Sequence, residues 1–165
     1  MIPTGKNVDK LLSTLIYIAL LGLVIWGGVR IINSTLESRL YKDFLLQWDV
    51  AITSYSVKRG RWPHFSGSNH IEYMDNLVTA MSMSSVVTPV SNTKRPYVYS
   101  VNKIGPPEEH IFVLCFPDRI ILYGISERTF MRIDTFIDGM SDEKTGRFIG
   151  HPSTDGETFI GLWRL

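Results

Sequence analysis

The chain has 165 residues, carries 17 Lys plus Arg against 16 Asp plus Glu for a net charge of +1, and is 44% hydrophobic. So even a balance provides no field to gather a polyanion, and the short basic clusters Lys58-Arg59-Arg61 and Lys94-Arg95 read as solvated helix-end and loop charges, so no nucleic-acid partner is expected. Cys115 is the only cysteine, which excludes an intrachain disulfide, and its setting in Ile111-Phe112-Val113-Leu114-Cys115-Phe116 is that of a small buried hydrophobe.

Residues 1–10 form a short polar flank. Residues 11–29, LLSTLIYIALLGLVIWGGV, are nineteen positions without a charge. As a helix they cover about 28 Å, close to the hydrocarbon thickness of a bilayer. A cleavable secretory signal has a shorter apolar region and a small-x-small cleavage site. Here Trp26-Gly27-Gly28-Val29 runs on into Arg30-Ile31-Ile32, so a retained transmembrane anchor is expected. Tyr17 and Trp26 suit either an interface or a neighbouring helix. Lys6 and Lys10 precede the run while Arg30, Arg39 and Lys42 follow it, so flanking charge does not set the orientation. A short flank before the helix and a whole domain after it fit an N-inside, C-outside arrangement.

Residues 30–59 continue as an amphipathic stalk. Ile31, Ile32, Leu36, Leu40, Phe44, Leu45, Trp48, Ala51, Ile52 and Tyr55 recur mostly at spacings of three and four, with Glu37, Arg39, Lys42, Asp43, Asp49 and Lys58 on other faces. No proline interrupts residues 11–62, so anchor and stalk form one helix of about 75 to 80 Å, ending near Arg59-Gly60 with Gly60 as its C-cap. Tyr41, Leu45, Trp48, Ile52 and Tyr55 make a seam with steps of 4, 3, 4 and 3. The seam allows a coiled coil with a second copy, but with so few heptads the favoured expectation is that it covers a sheet of the same chain.

Residues 60–165 form the globular region. Residues 60–69 read as a loop and 71–83 as a short helix with Tyr73, Leu77, Val78 and Met81 on one side. Residues 82–96 form an irregular connector. Strand-like runs follow at 97–101, 111–116 and 120–125, in an antiparallel meander whose central strand is 111–116. Gly105-Pro106-Pro107-Glu108-Glu109 allows a wide hairpin, and Pro117-Asp118 a tight turn. The pattern of 130–137 is ambiguous; 138–146 is a polar loop, and 158–163 a last strand. The fold class is therefore α+β, a long transmembrane-plus-stalk helix packed on a small antiparallel sheet.

This layout resembles the type IV pilin and type II secretion pseudopilin superfamily. Ala51-Ile52-Thr53-Ser54-Tyr55 through Gly60-Arg61-Trp62-Pro63 is similar to the stalk ending of many pseudopilins, and Pro96-Tyr97-Val98-Tyr99 to their first strand. Phe116-Pro117-Asp118-Arg119 resembles the family's Gly-Pro-Asp turn, and Phe136-Ile137-Asp138-Gly139 with Thr145-Gly146 its polar C-terminal loop. The resemblance implies a non-catalytic, minor structural subunit of a secretion or pilus assembly in a bacterial inner membrane, with its C-terminal domain periplasmic. Its partners would be the membrane, other pilin-like subunits through the N-terminal helix, and an assembly platform.

Gly5 and Lys6 mark the position of leader cleavage under this resemblance, and Asp9, Lys10, Tyr17, Gly22, Gly27 and Gly28 belong to the assembly helix. Lys10 stands where the family carries a glutamate, so the charge that would pair with a neighbour's free amine has the opposite sign, with Asp9 one residue earlier. Gly27-Gly28 lies where pilin helices loosen on assembly, and serves equally for close helix packing. The resemblance also allows calcium in the C-terminal loop, with Asp134, Asp138, Asp142 and Glu143 as oxygen ligands; no other cofactor is implied. The alternative is an unprocessed, membrane-tethered binding or sensor domain.

Catalytic candidates are few: His64, His70, Glu72 and Asp75 near the first loop, His110 beside Glu108-Glu109, and Ser66 as a nucleophile. None has triad or metal spacing, no phosphate loop follows a strand, and the chain is not expected to be an enzyme.

Overall fold

The computed structural model describes residues 5–58, 60–105, 108–139 and 144–165, with side chains from residue 9 onward. Helix α1 (Gly5–Arg39) passes through a six-residue π-helical segment (Leu40–Leu45) into α2 (Leu46–Val57). The contacts divide the chain into two compact units, Met1–Thr35 and Leu36–Leu165.

In the first unit, Leu11, Leu12, Leu15, Ile16, Ile18, Leu20, Leu21, Leu23, Val24 and Ile25 are all exposed, on every side of α1. A helix that is apolar all round has no solvated face to turn towards water, and this one is long and apolar enough to cross a bilayer. Ile31 and Ile32, expected within the buried stripe, are exposed as well.

From Leu36 onward the helix belongs to the second unit. Leu40, Phe44, Leu45, Trp48, Ala51, Ile52 and Tyr55 are buried, and Tyr41 half-buried. The π-segment accounts for the adjacent pair Phe44 and Leu45: Leu46 N–H donates to the Tyr41 carbonyl, five residues back, and the wider turn brings both side chains inside. Glu37, which the spacing placed on a solvent face, is 2% exposed. The helix ends at Val57 with Lys58 as its cap. Gly60 is therefore not the cap. It instead lets the chain pass over Tyr55, because a Cβ there would lie 2.2 Å from that ring. The Tyr55 hydroxyl donates to the Arg61 carbonyl at 2.8 Å.

Helix α3 (His70–Met83) buries Tyr73, Met74, Leu77 and Met81. The Lys58 ammonium donates to the Ser84 and Ser85 carbonyls beyond its last turn, a cation at the negative end of a helix.

Five antiparallel strands follow: β1 (Val98–Val101), β2 (Glu109–Cys115), β3 (Arg119–Ile125), β4 (Phe148–Pro152) and β5 (Phe159–Arg164), in the order β1-β2-β3-β5-β4. The meander holds for the first three strands, with Phe116 N–H donating to the Arg119 carbonyl across the Pro117-Asp118 turn. The middle position falls to β3, however, and not to β2 as expected, because β5 adds beside β3. The ambiguous segment is helix α4 (Glu127–Asp138), capped by the Ser126 hydroxyl at one end and by left-handed Gly139 at the other. It carries the chain past the site of β5 to the sheet edge, where β4 forms and turns back.

One face of the sheet takes both the stalk helix and α4. Phe44 meets Tyr99 with ring centroids 4.8 Å apart, and Phe130 of α4 stacks on Phe148 and Phe159 at 5.0 and 5.5 Å. Gly150 and Gly161 make room for these rings: a Cβ would stand 2.3 Å from Phe130 and 2.5 Å from Phe148, respectively.

Both sheet edges are covered by side chains. The Asn92 amide donates to the Ser100 carbonyl at 2.6 Å and accepts from the Ser100 N–H at 2.9 Å, taking the place of a neighbouring strand beside β1. At the other edge the Asp138 carboxylate accepts from the Arg147 and Phe148 N–H groups, and Pro152 has no N–H to offer.

Candidate functional site

Among the described residues of the second unit, an ion cluster with a buried centre is drawn from four parts of the chain. The last turn of α1 supplies Glu37, the β1–β2 connection Lys103, the first residue of β2 Glu109, and α4 both Arg128 and Arg132. Lys103 Nζ lies 3.3 Å from Glu37 Oε1 and 2.5 Å from Glu109 Oε1, and donates to Thr129 Oγ1 at 2.7 Å. Arg128 Nε and Arg132 Nε stand 3.3 and 3.2 Å from the two Glu37 oxygens. These contacts to Glu37 are ionic and lack hydrogen-bond alignment.

Glu109 is anchored differently. It accepts from Ser126 N–H at 3.1 Å, Ser126 Oγ at 2.8 Å and Thr129 Oγ1 at 3.0 Å, all at the positive N-terminus of α4. Burial pushes its carboxyl pKa up, but the Lys103 ammonium and these donors together outweigh burial and hold it below the ordinary carboxylate value. Desolvating an ion costs several kcal/mol, and such a cluster persists because three cations and the α4 N-terminus surround two carboxylates. Chemically it is a fastening between α1, the sheet and α4.

The spacing missed Glu37, although a signal was present. Stepping back four residues from Tyr41 along the Tyr41-Leu45-Trp48 seam lands on Glu37, so it shares the buried face.

On α1, Tyr17 is 72% exposed, and beyond the adjoining residues and the helix's own backbone nothing lies within 4 Å of a Cβ built at Gly22, Gly27 or Gly28. Asp9 and Lys10 are exposed, and the Lys10 carbonyl accepts from Thr14 Oγ1 at 2.9 Å. Arg30 sits over the Trp26 ring, 5.3 Å from its centroid. Gly5 and Lys6 are helical, and their side chains lie outside the described residues.

Of the catalytic candidates, His70, Glu72 and Asp75 line one open depression beside Ser68 and Asn76, while His110 pairs with Glu108 in another part of the chain. His70 meets Phe65, Tyr123 and Phe112 edge-on, at 5.3, 5.7 and 6.4 Å. Asp75 accepts from the Tyr97 hydroxyl at 2.7 Å, and burial together with that carboxylate pushes the Tyr97 phenol up to about 12. His110 and Glu108 form an exposed pair 3.7 Å apart.

Of the calcium candidates, Asp134 is fully buried in α4, and Asp138 spends its oxygens on the Arg147 and Phe148 amides. Asp142 and Glu143 lie outside the described residues. Among the described residues no group of three or more His, Cys, Asp or Glu is arranged to hold a metal ion.

No family model matches the chain, and no curated protein or solved structure matches it either.

Proposed function

We propose that the chain is a non-catalytic, pilin-like structural subunit, minor in its assembly, of the type II secretion or type IV pilus kind. The observation that carries the reading is one continuous helix that is apolar on all sides through residues 11–29 and, from Leu36, lays an amphipathic face on an antiparallel sheet. Such a subunit acts by contact: its N-terminal helix packs against those of like or related subunits and an assembly platform, and in this reading it sits in a bacterial inner membrane with the sheet domain outside the cytoplasm. The exposed Tyr17 and Gly22 faces are the contact surfaces the reading requires.

Intact-mass measurement of the membrane-extracted protein tests it. Loss of residues 1–5 with methylation of the new terminus supports the pilin route. Photocrosslinkers at positions 17 and 22 should capture like or related helices, and a chain that captures none defeats any filament role. Lys10 favours a second reading, an unprocessed tethered binding or sensor domain, since a cation there cannot pair with a neighbour's amine. An intact N-terminus with no helix neighbours would select it.

A further inference from the structure

We propose that the sheet face turned away from the stalk helix and α4 docks an acidic amphipathic helix of a partner protein, its aliphatic stripe on β3, β5 and β4 and its carboxylates on the cations around them. The inference concerns the second unit alone and does not depend on the pilin-like reading.

Alternation divides each strand between two faces. Ile120, Leu122, Phe148 and Trp163 are buried on the helix-covered side, and the residues between them belong to the other. Where one face of an antiparallel sheet is left to water, its positions are ordinarily polar. Here the pairing sets Ile149, Leu162 and Ile121 abreast across β4, β5 and β3, and alternation adds Ile160 to the same face. All four are partly exposed. They line an open depression of about 500 Å³ together with Tyr123, His151 and Lys144. His70, the first residue of α3, bounds the β2 side by meeting the Phe112 and Tyr123 rings edge-on. No residue of a helix lines the depression itself.

The backbone decides what kind of element fits. β3 lies between β2 and β5, and β5 between β3 and β4, so their N–H and C=O groups are spent within the sheet. An extended segment laid on this face would find no backbone partners and would lose its own to desolvation. A helix satisfies its backbone internally, and covering an apolar sheet face with a helix is the ordinary way to close such a layer.

Charge decides its composition. The chain as a whole is balanced, yet β3, β4 and β5 contain no Asp or Glu. Lys144 and His151 stand at the depression, and Arg164 follows Leu162 in the outward alternation, paired in register with Arg119 of β3. Asp118 offsets part of the Arg119 charge at 3.0 Å. An aliphatic floor rimmed by cations complements a helix whose leucine-like stripe is flanked by carboxylates, and repels one flanked by lysines.

The test uses the full chain in phosphatidylcholine nanodiscs and two synthetic helical peptides that share one leucine stripe, flanked by glutamates in one and by lysines in the other. Fluorescence anisotropy of the labelled peptide reads binding, with empty nanodiscs as the blank. An exposed ion pair is worth up to about fivefold in affinity, so Lys144 and Arg164 together should favour the glutamate peptide by about tenfold or more. Lys144→Glu with Arg164→Glu, both at exposed positions, should reverse the order of the two peptides. Leu162→Asp should abolish binding of the glutamate peptide while the emission of buried Trp163 stays unchanged. Equal affinity for the two peptides, binding of neither above the blank, or a preference that survives the charge reversal overturns the proposal. Sedimentation of the chain without peptide tests the other occupant: a dimer that Leu162→Asp dissociates assigns the face to a second copy and overturns the foreign helix.

Discussion

Replacing Glu37 by Ala removes the anion at the centre of the cluster, and the structure indicates how much each partner loses. Breaking a fully buried ion pair costs about 3 to 5 kcal/mol when the surviving charge is stranded. Here the stranding is partial. Arg128 and Arg132 are substantially exposed and can rehydrate, so each contributes no more than about 1 kcal/mol. Lys103 is nearly buried but keeps Glu109 and Thr129. Loss of the Cγ methylene adds about 1 kcal/mol. The expected total is about 2 to 3 kcal/mol, well above a surface pair. Lys103→Met should cost about 3 to 5 kcal/mol, since it strips the ammonium from two buried carboxylates at once. Chemical unfolding of the detergent-solubilised chain, followed by fluorescence of buried Trp48 and Trp163, reads both variants, and a double-mutant cycle gives the coupling. If Glu37→Ala costs under about 0.5 kcal/mol, the cluster fastens nothing and the reasoning fails.

Three further outcomes follow from the geometry. Because the Glu109 carboxyl is held low, its contribution to stability is complete above the unfolded carboxyl pKa of about 4.3 and is lost as pH falls through the folded value; Glu109→Gln should flatten the acid limb of a stability-versus-pH curve, and an unchanged limb would show that Glu109 does not govern it. Gly150→Ala should lower stability by about 1 to 3 kcal/mol, measured by thermal unfolding, because its Cβ meets the Phe130 ring and the Ile160 carbonyl. Asn92→Ala should cost about 1 to 2 kcal/mol and speed exchange of the Ser100 amide, since the amide that pairs with that backbone is gone; protection that survives the substitution would mean Asn92 covers nothing.

Where a side chain packs against its own periodic neighbours, the sequence was readable. The Tyr41-to-Tyr55 seam, the 70–83 helix and the runs that became β2, β3 and β5 each follow a simple repeat of burial. Glu37 was misread because residue type was given more weight than position: a carboxylate on the buried face makes sense only once Lys103, Arg128 and Arg132 arrive from distant parts of the chain. β4 is hard to read because only Phe148 and Ile149 favour a strand while Gly150 and Pro152 interrupt the run, and Gly150 is there for the Phe130 ring. The 130–137 pattern became helical through its ends, the Ser126 cap and Gly139, which lie outside the ambiguous run itself. Gly60 looked like a helix terminator, yet its small size serves the Tyr55 ring, a contact invisible from local spacing.

The covered sheet edges bear on what happens when many copies are confined to one plane. Tethered domains meet at local concentrations far above those in free solution, and bare strands would then zip together into a continuous sheet. With Asn92 standing in for a strand on one side, and Asp138 and Pro152 guarding the other, each domain is a finished tile. Were copies confined to one plane, edges filled in this way would offer fewer free backbone groups through which strands of neighbouring copies could join.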